Sequence, residues 1–326
     1  MAIYYLNVKT FGRSAGGRAT SAAAYRAGER IVDERSGRVF DHSQRTDVMH
    51  NEIVLPSKLV ATDMSWLHDR SVLWNAAEHA EPRKNARVAR EYLVALPHEM
   101  TPAQRLKLVQ GFSQELADLH GFAVDIAIHA PRPYNDPRNY HAHLLTTTRE
   151  VLPTGLGAKT DLDISDSERR RRGLGSSLKE LLAVRERWAT LTNEALRRTN
   201  VRARVDHRSL QAQGIDREPV PQIPVAARRT EERGQRSDVA DAIRAAYRAR
   251  VQARLERGAG RMTGVQDISG LEDMQRRARQ SWLQVRRAQL EHTSLATNDP
   301  ADAQERIDPL KEYERGRTGG DDDLAM

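Results

Sequence analysis

Apolar and polar positions change period several times along the chain, and each change marks an element. "AIYYLNVKT" (2–10) alternates and predicts an opening strand, whereas "GGRATSAAAYRAGERI" (16–31) is alanine-rich, enters through glycines and small hydroxyl residues, and predicts a helix. Short strands are expected at "RVF" (38–40) and "NEIVLP" (51–56). Over 63–80, Trp66, Val72, Leu73, Trp74 and Ala77 recur at helical spacing, with Asp63 available as a cap. "EYLVALP" (91–97) is a strand stopped by Pro97. The clearest helix signal spans 101–121: Thr101 as N-cap, Pro102 at the first helical position, Gln104 completing a capping box and Gly121 at the end. Next comes "FAVDIAIHA" (122–130), a β-branched strand with Asp125, Ala127 and His129 on one face. A proline-broken basic loop then leads into the strand "NYHAHLLTTT" (139–148).

Beyond Arg149 a glycine-punctuated, charged segment (150–175) reads as a mobile loop or a short hairpin, and Ser177 with Glu180 opens a helix to about Arg198. The proline-spaced "REPVPQIPVAARR" (217–229) looks like a linker, followed by two arginine-rich helical patterns and a disordered end, "GGDDDLAM". This order predicts an α+β fold: an antiparallel sheet of about five strands flanked by helices, plus a helical C-terminal extension.

Composition narrows the chemistry. No apolar run approaches the roughly 20 residues needed to cross a bilayer, and no secretory leader is evident, so the expected location is the cytoplasm. The chain has no cysteine, which excludes disulfides and thiolate metal sites and leaves imidazole and carboxylate as transition-metal ligands. With 52 Lys and Arg against 45 Asp and Glu and a pI near 9.8, the surface suits a polyanion such as nucleic acid.

Positions i and i+2 of a strand point the same way, so His141 and His143 can converge on one ion, and a hairpin of the two adjacent strands brings His129 opposite one of them. Three neutral imidazoles hold a divalent metal with open positions, as catalytic sites do; the alternative is paired polar residues on an exposed face. An open metal beside arginines points to phosphoryl chemistry. Tyr25, flanked by small residues, is a candidate nucleophile, the alternative being a tyrosine that packs its helix. Arg26 beside it is a candidate phosphate contact. Glu91 is placed either to orient a histidine or to accept the phenolic proton, and a surface strand-end carboxylate is the other reading; Asp125 is a weaker candidate. Arg83, Lys84, Arg87, Arg90, Arg132, Arg138 and Arg149 are candidate DNA contacts or solvated arginines, with Tyr134 and Tyr140 as stacking surfaces.

Residues 2–31, "RKNARVAREYLVALP" (83–97), "IHAPRPYNDPRNYHAHLLTTTRE" (128–150), "GLGAKT" (155–160), "RERWATLTNEAL" (185–196) and "VDHRSLQAQGID" (205–216), in this order, resemble the MobA/MobL plasmid mobilization relaxases, a branch of the HUH endonucleases. The resemblance covers residues 1–216 and leaves 217–236 as linker and 237–326 as a basic helical extension. It implies that His129, His141 and His143 bind Mg²⁺ or Mn²⁺. It also implies that Tyr25 cuts one DNA strand at an origin of transfer, leaving a 5′-phosphotyrosyl link and a free 3′-hydroxyl. Tyr4, Tyr5 and Tyr92 do not match that helix position, so a single nucleophile is expected. The implied partners are single-stranded and supercoiled plasmid DNA, accessory relaxosome proteins and a secretion coupling protein. A rolling-circle replication initiator of the same class and a non-catalytic DNA-binding accessory protein are the competing readings. The motif Asp206, His207, Arg208 is assigned to structure, docking the 178–198 helix onto the sheet.

Overall fold

The computed structural model describes residues 3–59, 65–131, 136–215 and 217–256. In chain order the elements are β1 (Leu6–Gly12), α1 (Ala19–Ala27), β2 (Arg30–Asp33), β3 (Arg38–Asp41), β4 (Val48–Val54), α2 (Ser65–His68), α3 (Arg70–His79) and β5 (Arg87–Ala95). There follow α4 (Pro102–His120), β6 (Val124–His129), β7 (His141–Thr146), β8 (Arg149–Leu152), β9 (Gly155–Lys159), α5 (Asp166–Arg171), α6 (Ser177–Arg198), α7 (Val225–Glu232) and α8 (Asp238–Glu256). The fold is α+β, as the sequence predicts. A five-stranded sheet in the order β1-β5-β7-β6-β4 pairs antiparallel throughout, and β2-β3 and β8-β9 form two separate hairpins.

Strand periodicity sorts the sheet into two faces, each covered by helices. One carries Glu91, Asp125, Ala127, His129, His141, His143 and Leu145, which the registers place side by side. Helices α1 and α3 lie on this face, their packing built from Ala19, Ala22, Ala23, Ala24, Leu73, Trp74 and Ala77 against Ala89 and Leu145. Alanines let α1 sit close to the strands. The other face carries Tyr92, Val94, Ile126 and Leu144, fully or almost fully buried, under α4 and α6, whose Phe112 and Trp188 rings meet at 5.0 Å. Apolar burial of this kind contributes about 25 cal/mol per Å².

Several boundaries differ from the sequence reading. The helix expected over 63–80 is two helices, because Asp69 leaves the helical path and caps α3 by accepting from Val72 N; Asp63 lies outside the described residues. Strand β5 starts four residues before "EYLVALP", since its basic N-terminal half still pairs with β1. The true N-cap of α6 is Ser176, and Glu180 turns away to bind Arg169 of α5, a helix the sequence reading missed. The capping box at Thr101 and Gln104 is present as expected, and Gly121 closes α4 with φ +71°. Segment 217–236, expected as a linker, contains α7. The second arginine-rich helical pattern and the end "GGDDDLAM", all of 257–326, lie outside the described residues. No helix among the described residues is long and apolar enough to cross a membrane.

Candidate metal and phosphodiester site

The β6-β7 register puts His129 directly opposite His141, and His143 two residues along on the same face, opposite Ala127. Their ring centroids stand 5.3 Å (His129–His141), 4.7 Å (His129–His143) and 5.2 Å (His141–His143) apart, and one nitrogen from each lies within 4.8 Å of the other two. An extra residue bulges between Val48 and His50 of β4, where Val48 pairs with His129, so the sheet is locally re-aimed beside the cluster.

Neighbouring oxygens fix which nitrogen of each ring carries the lone pair. His129 Nε2 donates to the Arg26 carbonyl at 2.8 Å, which leaves the lone pair on Nδ1, where the Arg45 guanidinium stands 3.4 Å away and gives way to a bound ion. His141 Nδ1 donates to the Asn139 carbonyl at 3.0 Å, and His143 Nδ1 donates to Glu91 Oε1 at 2.6 Å, which leaves Nε2 in both. Burial, with repulsion from His143 next, pushes the His129 pKa down to about 3; burial holds His143 at about 4 despite the Glu91 hydrogen bond. Both rings are therefore neutral near pH 7, the form that binds a metal. An oriented set of three imidazoles, with the His129 and His143 rings neutral, fits a divalent cation with open positions.

Glu91 is fully buried beneath His143. Burial alone would raise its pKa, but the His143 hydrogen bond and the Arg26 charge outweigh that and hold it well below the usual carboxylate range. Arg26 Nε donates to the same Oε1, and Lys9 Nζ reaches Oε2 at 2.8 Å as an ion pair. A permanently ionised carboxylate with its charge engaged orients His143; it is poorly suited to take a proton from a phenol.

Tyr25 projects from α1 and is 36% exposed, while the residues around it on the helix are buried. The next residue supplies the carbonyl that holds His129, so α1 ends at the histidine cluster. The β3-β4 loop closes over the phenol. His42 meets the Tyr25 ring edge-on at 5.2 Å, and the Arg45 guanidinium stacks 4.2 Å from its centroid. Arg45 also donates to Asp47 through Nε (2.8 Å) and Nη2 (2.5 Å), to the Tyr25 carbonyl (2.5 Å), and towards His129 Nδ1 (3.4 Å). His42, Arg45, Asp47 and Lys9 escaped the sequence reading; only a strand-turn signal marked that loop, and nothing local tied it to His129.

The basic residues divide sharply. Arg26, expected to meet a phosphate, is buried; its guanidinium is spent on Glu91, the Ala22 carbonyl and the Phe11 ring. Arg90 faces the opposite side of the sheet, bound to Asp163 and the Leu162 carbonyl, and so is not at the site. Arg149 is held by Glu81 and the Gly157 carbonyl. Arg83, Lys84 and Arg87 are exposed, but Arg87 lies roughly 20 Å along β5 from Leu93, the partner of His143, at about 3.3 Å per residue. Arg138 is exposed in the loop before β7 and pairs with Asp136 at 2.7 Å. Arg132 and Tyr134 fall outside the described residues. The Tyr140 ring carries the Arg105 guanidinium at 3.7 Å. Asp125 is tied by Arg70 and Trp74 Nε1, away from the histidines. In the 205–208 segment, Asp206 binds Arg208, and the Val205 backbone exchanges two hydrogen bonds with Asn193 of α6.

The MobA/MobL family model matches residues 18–233. This chain belongs to the MobA/MobL family. Membership makes it a DNA relaxase, the function its motifs pointed to. The chain is 38% identical over 300 residues to the mobilization protein MobL of Acidithiobacillus ferridurans, covering 83% of this chain and 76% of that protein. It is 34% identical over 265 residues to a probable mobilization protein MobA of Bifidobacterium longum, where 72% of this chain aligns with less than half (45%) of the relative. A solved structure described as the molecular basis of vancomycin resistance transfer in Staphylococcus aureus superposes with a TM-score of 0.52 at 29% identity, covering 64% of this chain and all of that one. The MobA/MobL match contains Tyr25, Glu91 and the three histidines.

Proposed function

We propose that this relaxase nicks and rejoins one DNA strand at an origin of transfer, with Tyr25 as nucleophile and His129, His141 and His143 as the metal-binding set. The observation that supports the reading is the carbonyl of Arg26, the residue next to Tyr25, accepting from His129 Nε2, which ties the end of α1 to the histidine cluster. The phenol oxygen attacks the scissile phosphorus, and the bond from phosphorus to the 3′-oxygen breaks. The phenol loses its proton, the 3′-oxygen gains one, and the 5′-phosphate remains on tyrosine. Because one phosphodiester bond replaces another, the same residues run the step backwards and rejoin the strand. A divalent ion such as Mg²⁺ or Mn²⁺ held by the imidazoles supplies Lewis-acid polarisation of a phosphate oxygen. Glu91 fixes His143, and the exposed Arg138, in the loop before β7, is, among the described residues, the predicted basic residue nearest in sequence to the histidines that could turn from Asp136 to a phosphate. Accessory DNA-bound proteins and a secretion coupling protein are the expected partners, in the cytoplasm.

Protein, Mn²⁺ and a labelled oligonucleotide spanning a transfer origin are expected to give a protein–DNA species that survives denaturant. Tyr25→Phe abolishes it, and His141→Ala abolishes cleavage while most DNA affinity persists. An adduct undiminished in Tyr25→Phe reassigns the nucleophile, origin binding with no adduct at all favours an accessory DNA-binding role, and nicking of a replication origin alone favours a replication initiator.

A further inference from the structure

The reading above leaves open what sets the Tyr25 ring relative to the histidines. Helix α1 alone does not, since the staggered side-chain wells that a helix allows give a 36% exposed tyrosine more than one direction. The constraint comes from the loop joining β3 to β4. That loop is sewn to both halves of the site: His42 N donates to the Glu29 carbonyl just past α1 (3.1 Å), and Ala130 N, next to His129, donates to the Asp47 carbonyl (2.8 Å). Gly28 has φ +69°, a conformation that favours glycine, and a Cβ there would stand 3.1 Å from Val48 Cγ2 and 3.6 Å from Arg45 Cβ, so the missing side chain eases the close approach of the loop to α1.

Within the loop one side chain touches both the nucleophile and a metal-site histidine. The Arg45 guanidinium lies flat over the Tyr25 ring, donates to the Tyr25 carbonyl, and points Nη2 at His129 Nδ1. Its plane is fixed by the two-point pairing with Asp47, Nε to Oδ1 and Nη2 to Oδ2. Arg45 is only 12% exposed. Little of its capacity is left for a solvent-borne phosphate, and a planar, delocalised cation suits stacking where an ammonium does not.

We propose that Arg45, braced by Asp47, is the positioning residue that holds the Tyr25 phenol against the histidine cluster for attack on the phosphodiester. The proposal rests on the reading of Tyr25 as nucleophile. Its predicted signature is a loss in turnover without a loss in DNA binding, because the ring is misplaced while the contacts to the strand remain. A displacement of about 1 Å at a reacting atom costs on the order of a hundredfold in rate.

The test is single-turnover and steady-state nicking of a labelled single-stranded oligonucleotide containing the nick site, with Mn²⁺, for the full chain and for Arg45→Ala, Arg45→Lys and Asp47→Asn. Arg45→Ala is expected to lower kcat about a hundredfold with KM within about threefold of the parent. Arg45→Lys restores charge but neither the stack nor the fork, so it recovers no more than about tenfold of the loss. Asp47→Asn, which retains the guanidinium but loosens its plane, loses about tenfold in kcat. Thermal unfolding is followed in parallel. If Arg45→Ala does not fold, the kcat and KM of the other two variants decide the matter by the same criteria. A full rescue by lysine, or a rise in KM with kcat kept, overturns the proposal in favour of a simple charge contact with DNA. Parent-like kcat in Arg45→Ala overturns it outright. Persistence of adduct in Tyr25→Phe is a separate failure, that of the nucleophile assignment, and is read from that variant alone.

Discussion

Glu91 is one residue holding three others, and its substitution separates orientation from chemistry. It is fully buried, and its Oε1 accepts from both His143 Nδ1 and Arg26 Nε. Replacing it by Gln keeps the volume but leaves the buried Arg26 without a counter-ion, and removing one partner of a buried pair costs about 3–5 kcal/mol. The His143 ring also loses the carboxylate that sets its tautomer, and a change in such an outer partner typically lowers metal affinity about 10- to 100-fold. Glu91→Gln is therefore expected to bind Mn²⁺ at least tenfold more weakly by calorimetry and to unfold at lower urea; unchanged Mn²⁺ affinity would sink the orienting role. At this scale the sequence was legible where the chemistry followed a local period. His141 and His143 share a face because strands repeat every two residues, and His129 joins them because its strand is the neighbouring one. Arg45 and Asp47 were not legible, since only the pairing of Val48 with His129, residues far apart in the chain, carries that loop to the site. Arg26 was misread for the same reason: its place next to Tyr25 suggests a phosphate contact, but Glu91, on a distant strand, captures it.

At the scale of elements, the helices announced by caps were readable because a cap is a local hydrogen bond: Thr101 and Gln104 for α4, and a serine at the start of α6. The break at Asp69 and the extension of β5 depend on partners elsewhere, namely the packing of α3 on the sheet and the length of β1, and sequence periodicity contains neither. The junction between α1 and β2 shows what an element boundary does for the site. Gly28 accepts a left-handed backbone, and its missing side chain makes room for Val48 and Arg45. A Gly28→Ala change meets both penalties, conformational strain of about 1–3 kcal/mol and a methyl group pressed against Val48 Cγ2 at 3.1 Å. The expected result is a loss of about 1–3 kcal/mol in urea-unfolding stability, together with slower nicking because the β3-β4 loop is pushed off the Tyr25 ring. Parent-like stability would mean that the backbone at 28 relaxes freely and the close approach is unimportant.

Across the whole molecule, the count of 52 Lys and Arg overstates the cations that face DNA, because many arginines are paired internally, although each such pair also removes an acid and leaves the net charge at +7. Arg70 pairs with Asp125, Arg90 with Asp163, Arg169 with Glu180 and Arg187 with Glu115, each with an arginine side chain no more than 13% exposed. A run such as 83–90 therefore reads as one basic patch in sequence, yet Arg83 and Lys84 lie exposed in the turn before β5, whereas Arg90 is held by Asp163, which Arg87 also approaches at 4.0 Å. Interior titration also governs how the fold responds to acid. His120 ends α4 with its ring stacked on Phe122 at 5.1 Å, and burial, followed by the charges of Arg90 and Arg169, depresses its pKa to about 3. An unfolded histidine titrates near 6.5. Between about pH 6.5 and pH 3 the unfolded chain thus binds a proton that the native state refuses, so stability falls as pH falls, by up to about 1.4 kcal/mol per pH unit for this one group. His129 and His143 act with the same sign, from native values of about 3 and about 4. The carboxylates Glu91 and Asp47 add to the loss only nearer their unfolded values, around pH 4 to 4.5. In chelator, urea unfolding between pH 7 and pH 5 is expected to show stability declining with acid, and His120→Leu to flatten that decline without abolishing it, because the two site histidines still contribute. A slope unchanged by His120→Leu would mean that His120 is protonated in the native protein and that α4 accommodates the charge.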